Sequence, residues 1–179
     1  MDLKEKLIDS KEIYKGYKLS LKIDHLQCMN NVVALKEVVL RANGIAVLPI
    51  LNNGNVLLEK EYRHPFNDVL IACPAGKLDK GETFLEGAKR ELEEETGYKA
   101  EKFIKIAEIY PAPAYSTEVC TLYLAKDLTL GVKHEDKDEF IETFEVSLKE
   151  FKELVDNGQI KDGKTVFIKT WMEKEGYFN

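Results

Sequence analysis

Residues 83–97 constrain this chain most: they read as a helix marked at both ends and loaded with acid where a helix tolerates it least. Thr83-Phe-Leu-Glu86 has the form of a capping box, in which a hydroxyl and a carboxylate satisfy the first unpaired N–H groups. Leu85, Ala88 and Leu92 recur at helical spacing and predict one apolar face. Gly97 stands where a left-handed C-terminal stop belongs. Just before it come Glu91, Glu93, Glu94 and Glu95. The C-terminal end of a helix is partly negative, so each carboxylate there costs roughly a few tenths of a kcal/mol. Neighbouring like charges add to that cost. A helix selected for stability alone would carry Lys or Arg in this turn.

The spacing supplies a reason. At about 3.6 residues per turn, Glu91 and Glu95 share a face, with Glu94 adjacent. Converging carboxylates suit a hard divalent cation such as Mg²⁺, which keeps waters and bridges to phosphates. Arg90, four residues before Glu94, can orient it and leave the metal-facing carboxylates free, with Glu82 as a second partner. Taken alone, the acidic run is equally compatible with a solvated helix face.

Around this helix the chain reads mostly as strands. Tyr14-Lys15-Gly16-Tyr17 suggests a turn between strand-like pieces, and Val32–Leu40 is rich in β-branched residues. Gly44–Leu51 predicts a buried strand, Asn53-Gly54 a hairpin turn, and Asn55–Lys60 its return strand. Further strands are expected at Val69–Cys73, Phe103–Tyr110, Val119–Ala125 and Phe140–Val146, with a charged loop at Gly131–Glu139. Ser147-Leu-Lys-Glu150 is a second capping box opening a helix to about Asp156, and a last helix covers Thr165–Lys174. Strands interleaved with few helices predict an α+β fold, an α/β/α sandwich with a mixed sheet between helical layers.

Composition narrows the classes. The net charge is −6 and Lys and Arg form no run, which argues against a nucleic-acid partner. No stretch approaches the roughly 20 apolar residues of a membrane span. The start, Met1-Asp2-Leu3-Lys4-Glu5-Lys6, does not read as a signal peptide. Cys28, Cys73 and Cys120 are widely spaced without a Cys-x-x-Cys pair, which suits free thiols in a reducing, cytoplasmic setting.

Gly76, Glu82, Arg90, Glu91, Leu92, Glu94, Glu95, Gly97 and Tyr98 together reproduce Gly-x5-Glu-x7-Arg-Glu-U-x-Glu-Glu-x-Gly-U, with U a bulky aliphatic residue. This resembles the signature of the Nudix hydrolases; every charged and glycine position matches, and Tyr98 is aromatic where an aliphatic residue is usual. The flanks resemble the ADP-ribose pyrophosphatase branch: Pro74-Ala75-Gly76, Glu61-Tyr62-Arg63, Pro113, Ala112-Pro-Ala-Tyr-Ser-Thr-Glu118 and Asp138-Glu139-Phe140-Ile141-Glu142. Ala72 departs, standing where that branch often has glutamate, and Ala114 replaces the usual glycine after the proline.

The resemblance implies a Nudix-like fold over residues 41–179 and an N-terminal β arm at 1–40 used for homodimerisation. It implies Glu91 and Glu95 as the leading ligands of Mg²⁺, with Mn²⁺ as the alternative cation and Glu94 and the Ala75 carbonyl in support. It places the general base in the late acidic loop, first Glu139, then Asp138 or Asp136. Read without the family, Glu135–Glu139 is also compatible with an ordinary solvated loop. Arg63 is a candidate diphosphate clamp, since a guanidinium binds phosphate oxygens in pairs; its ordinary alternative is a surface arginine. Glu118 and Tyr115 fall in the resembling flank, and Tyr14, Tyr17 and Tyr115 are candidates for stacking on a base. His25, His64 and His134 pair with no cysteine and read as structural or exposed, and Trp171 reads as core.

The expected reaction is Mg²⁺-dependent hydrolysis of ADP-ribose, or a similar nucleoside diphosphate sugar, to a nucleoside monophosphate and a sugar phosphate. Another nucleotide sugar, a dinucleotide or a damaged nucleotide is the alternative substrate. A non-catalytic ADP-ribose sensor is a further alternative, though it would be expected to lose charged signature positions that are all present here.

Overall fold

A computed structural model describes residues 3–134 and 140–178. The chain divides into two compact units, Met1–Asn43 with Tyr110–Val119, and Gly44–Ile109 with Cys120–Asn179. Among the described residues, no helix is long and apolar enough to cross a membrane.

The first unit is built on an antiparallel meander of β1 (Lys6–Lys15), β2 (Ser20–Gln27) and β3 (Val33–Leu40). The turn expected at Gly16 closes with its N–H donating to Leu19 O at 2.9 Å. Every residue of β1 is exposed, including Leu7, Ile8, Ile13 and Tyr14. Residues 110–119 join this unit through backbone bonds from Val39 N to Tyr115 O and from Thr117 N to Val39 O, at 2.7 and 3.0 Å. Strand periodicity gives no sign of that pairing, because Pro111 and Pro113 interrupt the segment.

The second unit holds β4 (Gly44–Pro49), β5 (Val56–Arg63), β6 (Asp68–Ala72), β7 (Ala75–Lys77), α1 (Phe84–Thr96), β8 (Tyr98–Ile109), β9 (Cys120–Leu130), β10 (Ile141–Val146), α2 (Leu148–Asp156) and α3 (Gly163–Lys174). A mixed sheet runs β7-β4-β9-β8, with β4 parallel to β9 and the other pairs antiparallel. A separate antiparallel sheet runs β10-β5-β6.

Alternation along β4 and β9 sends side chains to two cores. Ile45, Val47, Tyr123 and Ala125 pack with Ala88 and Leu92 of α1. Ala46, Leu48, Leu122 and Leu124 pack with Leu58 of β5, Phe151 of α2, and Ile168 and Met172 of α3. Helices therefore cover both faces of the mixed sheet, as the α/β/α expectation requires.

Three local expectations change. Asn53-Gly54 does turn the chain, with Leu51 N donating to Asn55 O at 2.8 Å, but the hairpin stops after the single bridge Ile50↔Val56. Both edges of β4 are already taken by β7 and β9, so β5 diverges into the other sheet. Leu85 is exposed, and Phe84, Ala88 and Leu92 form the inward stripe of α1 instead. β8 begins directly after Gly97, because that glycine (φ 74°) reverses the chain and its polar first residues pair with the end of β9.

Candidate active site

Helix α1 forms as its ends predict. Thr83 N donates to Glu86 Oε2 at 2.8 Å and Glu86 N to Thr83 Oγ1 at 3.3 Å, completing the capping box. At the other end the carboxylates find partners, which offsets part of the penalty from the helix dipole. Glu93 Oε1 accepts from Lys99 Nζ at 3.2 Å and from Val132 N at 3.3 Å. Lys99 first, and the Val132 N–H after burial's opposing effect, hold the Glu93 carboxyl below its ordinary value. Glu93 thus anchors the start of the 131–134 segment, and His134 N adds a bond to Glu94 O at 3.0 Å.

Arg90 is the centre of the charged cluster. Its Nε donates to Glu82 Oε1 and its Nη2 to Glu82 Oε2, both at 2.9 Å. Nη2 also donates to Lys77 O at 2.9 Å, and Nη1 to Glu94 Oε2 at 2.8 Å. The fork therefore fastens α1 to the chain leading out of β7, a geometry available to a planar guanidinium and not to Lys. Arg90 lowers the Glu82 carboxyl below its usual range, and Glu82 in turn raises the Arg90 guanidinium. Sequence spacing favoured Glu94 as the main partner; the paired bond to Glu82 is the stronger contact. Spacing also predicted that Arg90 would leave Glu91 free, yet Nη1 lies 3.0 Å from Glu91 Oε1. Nη1 faces both carboxylates, since Glu91 is the next residue and Glu94 lies one turn on.

Glu91 and Glu95 meet adjacent residues of β7. Glu95 is buried and its Oε2 accepts from Ala75 N at 2.9 Å. The Glu91 carboxylate lies against Gly76 so closely that a Cβ there would sit 1.9 Å from Oε1. A side chain at 76 would displace the end of the Glu91 side chain, so the glycine at the signature's first position leaves room for that carboxylate. Among the described residues, no group of three His, Cys, Asp or Glu side chains stands ready-made to hold a metal ion. The donor chemistry nonetheless suits a hard cation: two carboxylates one helical turn apart, at the strand that carries the Ala75 carbonyl.

Arg63 ends β5, and its Nη2 lies 2.6 Å from Glu61 Oε2, so a neighbouring carboxylate holds the candidate clamp. Glu118 pairs with Arg41 at 3.2 Å within the first unit, where Tyr115 and Tyr17 are both exposed. The helix thus gathers Arg90, Glu91, Glu94, Glu95 and Ala75, whereas Tyr17, Tyr115 and Glu118 belong to the other unit. Asp136, Asp138 and Glu139 lie outside the described residues.

Sequence reasoning passed over two features. Ala72 pairs with Glu59 in the β5–β6 register, so this cross-strand pair does carry a carboxylate, from the opposite strand. Glu59 is buried, and neither of its oxygens has a hydrogen-bond partner among the described residues. Nothing in a strand's alternation marks it. The second feature, Asp162 with Thr165, was legible as the Asp-x-x-Thr start of α3, two residues before the expected beginning.

Comparison with known proteins agrees with this geometry. The NUDIX domain matches residues 40–166. An ADP-ribose pyrophosphatase of Bacillus subtilis (strain 168) is 35% identical over 173 residues, covering 96% of this chain and 94% of that protein. A methanol dehydrogenase activator of Bacillus methanolicus is 33% identical over 171 residues, covering 94% and 92%. The crystal structure of an ADP compounds hydrolase shares the fold, with a TM-score of 0.84, 20% identity and 99% of both chains covered. With the signature helix, its Arg90 cluster and the two carboxylates at β7 all in place, the chain belongs to the NUDIX family, as a Nudix hydrolase.

Proposed function

We propose that this Nudix hydrolase cleaves the diphosphate of ADP-ribose with Mg²⁺, giving AMP and ribose 5-phosphate. The observation that carries the reading is the seating of Glu91 and Glu95 on adjacent residues of β7, in a chain similar over nearly its whole length to an ADP-ribose pyrophosphatase. Glu91 and Glu95 would hold the cation, with Glu94 and the Ala75 carbonyl in support. When bound, the cation neutralises phosphate charge and favours ionisation of an attacking water.

The protein's own part is positioning and proton transfer. Arg90 locks α1 to the segment after β7 and orients Glu94. Arg63 clamps diphosphate oxygens, exchanging its contact with Glu61 for them. Glu139, or Asp138 beside it, takes the proton of the attacking water as oxygen bonds to one phosphorus and the bridging P–O bond breaks. A substrate panel with Mg²⁺ tests the assignment. ADP-ribose is expected to give the highest kcat/KM, and preference for nucleoside triphosphates would overturn the branch reading.

The wholly exposed β1, with four large apolar residues in view, supports a homodimer formed through the N-terminal arm. Light scattering is expected to give twice the chain mass, and a monomer at micromolar concentration removes the dimer. The free thiols, two of them buried, support a cytoplasmic setting.

A further inference from the structure

The α3 N-terminus sits at the residues leading into β7. Asp162 caps it, with Oδ2 accepting from Thr165 N at 2.9 Å and from Thr165 Oγ1 at 2.8 Å. Lys164 Nζ donates to the other oxygen, Oδ1, at 2.5 Å. Burial alone would raise the Asp162 carboxyl, but Lys164 and these hydrogen bonds outweigh it and keep it ionised. Because the Thr165 hydroxyl donates to Asp162, its lone pairs face outward, and one accepts from Cys73 N at 2.9 Å. Thr165 and Cys73 are both fully buried. A bond in such surroundings is strengthened by low dielectric and by the polarised chain behind it.

Three bonds then pin the Cys73-Pro74-Ala75 bend. Cys73 N is held by Thr165, Pro74 O accepts from Val47 N at 2.8 Å, and Ala75 N donates to Glu95. Pro74 has no N–H, so Thr165 takes the donor nearest before Ala75. We propose that Thr165, oriented by Asp162, is a positioning residue for the cation site: it fixes the bend on which Ala75 holds Glu95, although Asp162 and Thr165 themselves belong to α3 rather than to the signature. The proposal rests on the assignment of Glu95 as a metal ligand.

The test is Mn²⁺ binding to the full chain without substrate, followed by electron paramagnetic resonance, alongside kcat and KM for ADP-ribose. Thr165→Val is expected to weaken Mn²⁺ binding about tenfold to hundredfold, as loss of an outer partner does at metal sites, and to lower kcat while KM stays within about threefold. Thr165→Ser, which keeps the hydroxyl, is expected to restore both. Ser147→Ala removes the equivalent cap of α2 (Ser147 Oγ accepts from Glu150 N at 3.1 Å) and controls for lost helix stability. It is expected to lower the Tm yet leave Mn²⁺ affinity within about twofold. Wild-type Mn²⁺ affinity in Thr165→Val, failure of serine to rescue, or an equal loss in Ser147→Ala overturns the proposal. If Thr165→Val does not fold, Asp162→Asn decides, with about a threefold to tenfold weakening expected and unchanged binding fatal. Glu95→Gln in the same assay separates the two readings: if it binds Mn²⁺ normally, the ligand assignment has failed rather than the relay.

Discussion

Glu95→Gln is expected to reduce kcat/KM for ADP-ribose by at least about a hundredfold, while the fold survives. The amide oxygen of Gln can still accept from Ala75 N, which Glu95 holds at 2.9 Å, so the contact with β7 is kept and only the charge is lost. The Mg²⁺ dependence should move to higher concentration, with Tm within a few degrees of wild type. Glu93→Gln is the internal control. It removes the same charge from the same helix, but Glu93 bonds Lys99 and Val132 N rather than β7. Its activity is expected to stay within about threefold, because a pair with the exposed Lys99 contributes little. Full activity in Glu95→Gln, or equal losses in the two variants, would remove Glu95 from the cation site. In the same series, Glu139→Gln should lower kcat about 10²-fold to 10⁴-fold, and a normal rate there moves the base to Asp138.

The second large effect concerns stability and pH. Burial, with the Glu61 carboxylate adding to it, pushes Glu59 from 4.5 up to about 8. Between those values the folded chain holds a proton that the unfolded chain has released, so this group's contribution to stability falls as pH rises through the window. One pKa unit corresponds to about 1.4 kcal/mol, so the whole shift is worth up to about 5 kcal/mol. Glu59→Gln removes the titration and keeps the shape. The variant's Tm advantage over wild type is therefore expected to be small near pH 5 and to grow to on the order of 10 °C by pH 9. A Tm difference that does not change with pH would show Glu59 to be ionised throughout. Asp162, Lys164 and Arg63 also act on Glu59, but they are common to both proteins, so the comparison isolates this one carboxyl.

The helix was legible because its signals are local. A capping box, an αL glycine and a four-residue spacing act within the backbone that carries them, so Thr83, Gly97, Arg90 and Glu91 could be placed from order alone. The reason for Gly76 was not, since it depends on a carboxylate fifteen positions later coming to rest on that backbone. Arg90's preference for Glu82 is similar: a loop closure brings Glu82 to the fork, and spacing along the helix favours Glu94. The Asn53-Gly54 turn was read correctly as a turn and wrongly as a two-stranded hairpin, because a turn sets chain direction while strand partners are set by competition for edges.

Residue order sets the chemistry available: acid concentrated on one face of a capped helix, Arg within one turn of it, and a glycine upstream. It also sets the strand alternation that sends β4 and β9 side chains to two cores. Where each carboxylate goes depends on contacts between elements distant in the chain. Glu93 turns to Lys99, Glu94 to Arg90, and Glu95 to Ala75, and these differ because the elements around α1 differ on each side. Burial decided the state of Glu59, which the strand pattern presents as one polar position among several. Electrostatic energy depends on distance and on how much water remains, and neither quantity is contained in the order of residues.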